Sequence, residues 1–516
     1  MNLFRFLQRK PIVILLGLNL LVGLVTYGDY GLSWDEPLFY DYAESLKYAY
    51  LPAEWFSGDF DLARAFGASG SDHANRGPAY LLLGILPVSL LENFGLGMAE
   101  SWHLINFLTF QLGVYLFYRL ATRWFSEPIA LASTAIFAYQ QLLWGHAFIN
   151  PKDPPFLVFF LAAVTFGFEM VDELVTKTKH PVLKILLAAF FLGIATSIRV
   201  LGPFAGLLVC LYGVSCIQRA SFLQWVKYFL LYASITLGIA LASWPFLWTH
   251  PIANFTSAFA FMSDNPTQLK VLFNGVLFAA DKLPRRYLPT MLGLTLTEPV
   301  WILFALGVLV CLFSQDKRLR TQASLILLWF LVPLAYVVLR KPPMYDGIRH
   351  FLFILPPVFV FVGQALDRLL FRLKWRTLSF VLLALILFPS LPGILLLHPF
   401  QYTYYNSLAG GMQGAFRRYE TDYWLTCYKQ AMEDFQSLTP GSATIFVNRE
   451  AYIAKTYASD ALRILERRGS ADQIKAGDYF LVNTRANEDL RLYPDSPILL
   501  QVGRSGAIFC VLKQIE

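Results

Sequence analysis

Long apolar runs recur from Pro11 to Leu397, and each reads as a helix able to cross a bilayer, which asks for about 20 apolar residues. They lie at Pro11–Tyr27, Pro78–Phe94, Trp102–Ala121, Pro128–Phe148, Pro154–Val171, Val182–Ile198, Leu201–Ile217, Trp225–Phe246, Met291–Phe313, Ser324–Leu339, Phe351–Leu366 and Leu378–Leu397. The pattern changes after His398. Short β-rich runs at Ala443–Val447, Tyr479–Val482, Ile498–Val502 and Ala507–Leu512 alternate with turn signals, and helical patterns occupy Trp424–Gln436 and Asp460–Arg468. The chain thus reads as an α-helical polytopic membrane domain over 1–397, followed by a small soluble α/β domain over 398–516.

Composition agrees: 56% of the 516 residues are hydrophobic and 15% charged, against roughly 25% charged in soluble chains. The net charge of +7 lies in the membrane portion, because the segment from His398 holds 13 Lys+Arg and 13 Asp+Glu. Such an excess reflects topology and contact with membrane lipids, so a nucleic-acid partner is not expected. Cys427 and Cys510 both fall in the tail and could pair in an oxidising compartment.

Basic clusters fix the orientation. Arg5, Arg9 and Lys10 put the N-terminus in the cytoplasm. Arg119/Arg123, Lys177/Lys179/Lys184, Arg219/Lys227, Lys317/Arg318/Arg320 and Arg368/Arg372/Lys374/Arg376 join it there if one early run does not cross. Pro78–Phe94, interrupted by Gly84 and Pro87, is the weakest and is expected to be a juxtamembrane or re-entrant element. About eleven crossings remain, and the tail lands outside the cytoplasm. The outer face then collects a long first loop over 28–101, the turns at Ile149–Asp153 and Arg199, and the loop Arg340–His350.

That face carries the unusual polar residues. Asp35 and Glu36 follow the first run directly; capping of a helix with Pro37 in its first turn is their ordinary role, and a wet functional site is the other. Asp153, before Pro154, has the same two readings, with Lys152 beside it as an anchor or a phosphate partner. In Arg340–His350, the cations Lys341, Arg349 and His350 accompany Tyr345 and Asp346. Basic residues are disfavoured outside, so an anionic ligand explains this cluster better than topology does. Arg199 breaks the charge rule in the same way, with snorkelling as its ordinary explanation.

Taken together, Trp34-Asp35-Glu36, Lys152-Asp153-Pro154 and Tyr345-Asp346-Gly347-Ile348-Arg349-His350 with the following Phe-Leu-Phe-Ile-Leu-Pro-Pro resemble the GT-C superfamily of polyprenyl-phosphate-sugar-dependent glycosyltransferases. The likeness is to its protein O-mannosyltransferase and aminoarabinose transferase branch and covers about the first 400 residues. The tail segments His398–Asn406 and Thr421–Trp424 look like those of a bacterial subgroup. The resemblance implies a GT-C membrane fold in the plasma (inner) membrane. It also implies transfer of a sugar, with inversion, from a polyprenyl-phosphate-linked donor to a glycan, lipid or protein acceptor outside the cytoplasm. By the same resemblance Asp35 is the catalytic base or orienting acid, Glu36 supports it, and Asp153 is the second-loop acid. Arg349, His350, Arg199, Lys341 and Lys152 would face the donor phosphate, with Tyr345 and Asp346 supporting. A divalent cation, Mg or Mn, could share that task, although no ligand cluster compels one. His73-Ala-Asn-Arg76-Gly-Pro78 departs from the aminoarabinose branch, where Lys-Pro-Pro is usual; either Arg76 substitutes as a donor-phosphate contact or the loop is built differently. Rival readings are a transporter or lipid flippase, and a membrane scaffold that binds a partner through its tail.

Overall fold

The computed structural model describes residues 10–176, 181–216, 222–264, 267–372, 376–439 and 441–516. Arg5, Arg9, Lys177, Lys179, Arg219 and Lys374 of the basic clusters lie outside the described residues. Among the described residues six helices are long and apolar enough to cross a membrane: Met98–Ala121, Asp153–Thr176, Pro181–Ile198, Phe222–Ser243, Lys317–Arg340 and Arg349–Leu369. Shorter apolar helices among the described residues accompany them, at Ile12–Thr26, Ala79–Asn93, Glu127–Ala138, Pro203–Cys216 and Val381–Leu396. The protein is an integral membrane protein. Asp153–Thr176 is the hub, 94% buried over its most apolar window. At about 1.5 Å per residue its 24 residues span about 36 Å, enough for the hydrocarbon.

Two expected spans are broken, and the breaks meet. Pro128–Phe148 is split at Tyr139–Gln140 into Glu127–Ala138 and Gln141–Ile149. Met291–Phe313 is not one helix either: Tyr287–Thr295 and Glu298–Leu312 are bent 111° apart. The Gln140 side chain accepts from the backbone N–H of Thr297 at 3.1 Å and donates to the Ile136 carbonyl at 2.9 Å. One buried amide therefore satisfies backbone groups freed at both breaks, as a low-dielectric setting requires. The first loop forms the short helices Glu36–Leu46, Lys47–Tyr50, Pro52–Trp55, Leu62–Phe66 and Ser71–Ala74.

A hairpin of β1 (Lys270–Phe273) and β2 (Val276–Ala279) turns at Asn274-Gly275, both at positive φ, as a tight hairpin turn demands. The tail holds a five-stranded sheet of β3 (Ala443–Val447), β4 (Leu462–Glu466), β5 (Tyr479–Asn483), β6 (Ile498–Arg504) and β7 (Ala507–Gln514). Its order is β4-β3-β5-β7-β6, parallel for the first three strands and antiparallel for the rest. The sequence reading of Asp460–Arg468 as helix is corrected: Leu462–Glu466 pairs residue for residue with Ala443–Val447. Cys427, opening the helix Cys427–Leu438, is disulfide-bonded to Cys510 of β7, with Cα atoms 6.2 Å apart. The apolar core runs without a break from the membrane helices into this sheet.

Candidate active site

The acidic turns and the late basic loop converge. Asp35 stands at the N-terminus of Glu36–Leu46, yet its side chain makes no capping bond. Its carboxylate instead accepts from Arg349 Nη1 at 3.1 Å and remains 30% exposed, while the arginine is 3% exposed. Glu36 takes the local structural work. It accepts from the Ser33 N–H at 2.7 Å and the Tyr40 hydroxyl at 2.7 Å, and faces His103 Nε2 at 3.1 Å. Fully buried, Glu36 holds the turn from which Asp35 projects.

Asp153 is likewise relieved of capping. Asn150 Oδ1 accepts the backbone N–H groups of Lys152 and Asp153, at 3.1 and 2.9 Å, and so opens the hub helix. The Asp153 carboxylate is left to pair with Arg199 and, at 3.4 Å, with Arg349. All three groups are buried, where an unpaired charge would be costly.

Arg349 is the junction. Besides Asp35 and Asp153 it meets Asp346 Oδ2 at 3.0 Å, and its guanidinium lies over the rings of Trp424 and Tyr345 at 5.0 and 5.2 Å. Asp346 has a second arginine, Arg485 of the tail, at 2.7 Å. Arg485 in turn stacks over Trp34 at 4.7 Å and donates to the Tyr423 carbonyl at 2.7 Å. Sequence reasoning missed Arg485, since an arginine in a water-soluble tail attracts no notice. Trp34 and Trp424 are tied by a backbone bond of 3.2 Å, which closes the tail onto the first loop.

Lys152 is buried, lies 5.7 Å from the Phe39 ring, and makes no ion pair among the described residues. Burial, with the Arg76 and Arg199 guanidinium groups adding to it, holds its pKa well below the ordinary lysine value. Arg76 is held by Asp72 through two bonds of 2.8 and 3.0 Å. Arg76, Arg199, Tyr345 and His350 help line a cavity of about 260 Å³ whose other walls are largely apolar, among them Phe204, Met262, Tyr336, Pro342 and Pro343. Lys341 stands apart: it is exposed, caps Lys317–Arg340 in a left-handed conformation, and does not line this cavity. Among the described residues no three His, Cys, Asp or Glu side chains converge to hold a metal. Asp35 and Asp153 would first have to release their arginines to do so.

An acid with partial access to water, a lone buried cation and a greasy cavity rimmed by guanidinium groups can together bind a lipid-borne anion and receive a proton beside it.

No protein-family model matches the chain, and no curated protein matches it in sequence. Solved structures do. The chain resembles ArnT from Cupriavidus metallidurans in the apo state with a TM-score of 0.52 at 13% identity, over 98% of each chain. It resembles the apo oligosaccharyltransferase of Archaeoglobus fulgidus with a TM-score of 0.51 at 10% identity, over 92% of this chain and 69% of that one. Likeness at such identity concerns architecture alone. The fold of this chain, polytopic helices followed by a small C-terminal sheet, is the one these two structures share.

Proposed function

We propose that this chain is a membrane glycosyltransferase that moves a sugar from a polyprenyl-phosphate donor to an acceptor on the extracytoplasmic side. The observation that carries the reading is the convergence of Asp35 and Asp153 on Arg349, close to a cavity suited to a lipid phosphate. The GT-C fold of enzymes that include an oligosaccharyltransferase adds support. The Cys427–Cys510 bond favours an oxidising compartment for the tail.

In this mechanism the lipid chain lies along the apolar walls and its phosphate meets Lys152, Arg76, Arg199 and His350. The acceptor hydroxyl attacks the anomeric carbon as its proton passes to Asp35, which Arg349 orients. A new C–O bond forms to the acceptor, and the sugar's C–O bond to phosphate breaks. The phosphate departs as an anion next to low dielectric, so preorganised cations stabilise the transition state without reorganising. Lys152, lacking an ion-pair partner, is the cation most in need of that charge. Asp153 aligns Arg199 with Arg349, while Tyr345 and Asp346 hold Arg349 in place. The transporter reading has less support, because these charges gather at helix ends and loops rather than along mid-span.

The test uses the full-length protein in lipid nanodiscs with labelled polyprenyl-phosphate sugars and candidate acceptors. Wild type should bind undecaprenyl phosphate and turn over a donor; Asp35→Asn should bind yet fail to turn over. Equal turnover by both proteins would remove the reading.

A further inference from the structure

A second cavity, also of about 260 Å³, lies in the tail and shares no lining residue with the lipid cavity. We infer that this cavity is the acceptor subsite and that it takes a neutral, polyhydroxylated unit, that is, the sugar end of a glycan. The inference rests on the glycosyltransferase reading above and adds the class of acceptor.

Its place comes first. The cavity includes Glu450, and two residues on the Tyr452 hydroxyl donates to the Trp34 carbonyl at 2.6 Å, next to Asp35. Burial pushes the Glu450 carboxyl up, and the Glu466 and Asp35 charges add to that. Arg485, stacked on the Trp34 ring, begins the turn Arg485–Leu490 that also supplies Glu488 to the cavity. An acceptor held here and a donor held in the lipid cavity would reach Asp35 from separate chambers. An in-line displacement asks for that separation, since the incoming oxygen and the departing phosphate occupy opposite sides of the reacting carbon.

Its chemistry comes next. Three carboxylates (Glu450, Glu466, Glu488) face three guanidinium groups (Arg449, Arg467, Arg468), so the lining has no net charge to select an ion. It holds no aliphatic or aromatic side chain, which disfavours a lipid tail. Part of the set is already fixed: Arg449 Nε donates to Glu488 at 2.9 Å, Asn448 donates to Glu488 at 2.6 Å, and Arg467 Nε donates to Asn448 at 3.0 Å. Glu450 and Arg468 make no ion pair among the described residues, and neither does Arg467. Acceptors and donors thus share one lining, and sugar hydroxyls, which both donate and accept, match it. The volume is just under the usual small-ligand range of about 300–1,000 Å³, right for one sugar-sized unit. Glu450 also holds a left-handed backbone, φ 53°, a costly conformation for a side chain with a Cβ.

The full chain in nanodiscs is titrated with the methyl glycosides of glucose, galactose, mannose and N-acetylglucosamine, read by saturation-transfer NMR. At least one should bind, and Glu450→Ala and Arg467→Ala should each weaken it about tenfold. Arg468→Ala removes an exposed side chain that folding does not need, and should also weaken binding. Absence of signal from every glycoside, or binding unchanged in all three variants, overturns the inference. Undecaprenyl phosphate is titrated in parallel. If it binds while no glycoside does, the acceptor inference falls alone; if it does not bind, the glycosyltransferase reading falls with it.

Discussion

Arg349 lies 3.1 Å from Asp35, 314 residues earlier in the chain, and the contact leaves the carboxylate partly open to water. An arginine that only neutralised a buried acid would leave it no exposure. The geometry suits an acid held in one orientation and still able to take a proton. Replacing Asp35 by Asn should lower sugar transfer by about 100- to 10,000-fold, the range of general-base contributions. Binding of undecaprenyl phosphate and thermal melting should change little. Rates with labelled donor, beside a melting curve, check this.

The Asp153–Arg199 pair makes the opposite demand. Both side chains are nearly inaccessible, 1% and 4% exposed, so removing one charge strands the other. Arg199→Met should destabilise the protein by about 3–5 kcal/mol. Asp153→Asn in the same chain should recover part of that loss. Unfolding of the single and double variants in matched detergent decides it; additive losses would show that the pair is not coupled.

Lys152 predicts a pH dependence. Its pKa is held down in the free protein by burial first and neighbouring guanidinium groups next. The folded protein therefore loses stability from this group as pH falls through the lowered value. A bound phosphate favours the ammonium form, so binding takes up a proton between the lowered pKa and the ordinary lysine value of about 10.4. Affinity for undecaprenyl phosphate should fall as pH rises through that window. Calorimetry in buffers of different ionisation enthalpy reads the proton directly, and Lys152→Met should abolish the uptake.

Arg485 positions the site without reaching the reacting atoms. It pairs with Asp346, which pairs with Arg349, and it stacks on Trp34 beside Asp35. Small displacements of reacting groups cost up to about 100-fold in rate, and Arg485→Met is expected to approach that in turnover. Arg485→Lys keeps the charge but not the planar fork, and should rescue only part. Affinity for undecaprenyl phosphate should stay close to wild type in both. Full rescue by lysine would show that charge alone matters.

Asp35, Asp153, Arg199 and Arg349 were legible because charges at the ends of apolar runs are conspicuous where lipid should be. The fold brings their side chains together. Arg485 carried no such signal: charge is ordinary in a polar tail, and its burial comes from packing against residues far off in sequence. Apolar runs also hid the breaks at Gln140 and Thr297, since hydropathy is blind to a side chain that bonds a distant backbone. Leu462–Glu466 was misread for a related reason. A five-residue run is too short for its period to decide, and pairing with β3 made it a strand.

The tail's grip on the first loop has an effect on the charges beneath it. Trp424 covers Arg349, Arg485 clamps Asp346, and Lys429 donates to the Gly28 carbonyl. Peeling this cover away would flood the guanidinium–carboxylate knot with solvent and weaken each attraction several-fold through dielectric screening. The tail therefore serves as the dry wall of a chamber whose other sides are membrane helices. A shortened chain that keeps every helix would still be left with a hydrated cleft.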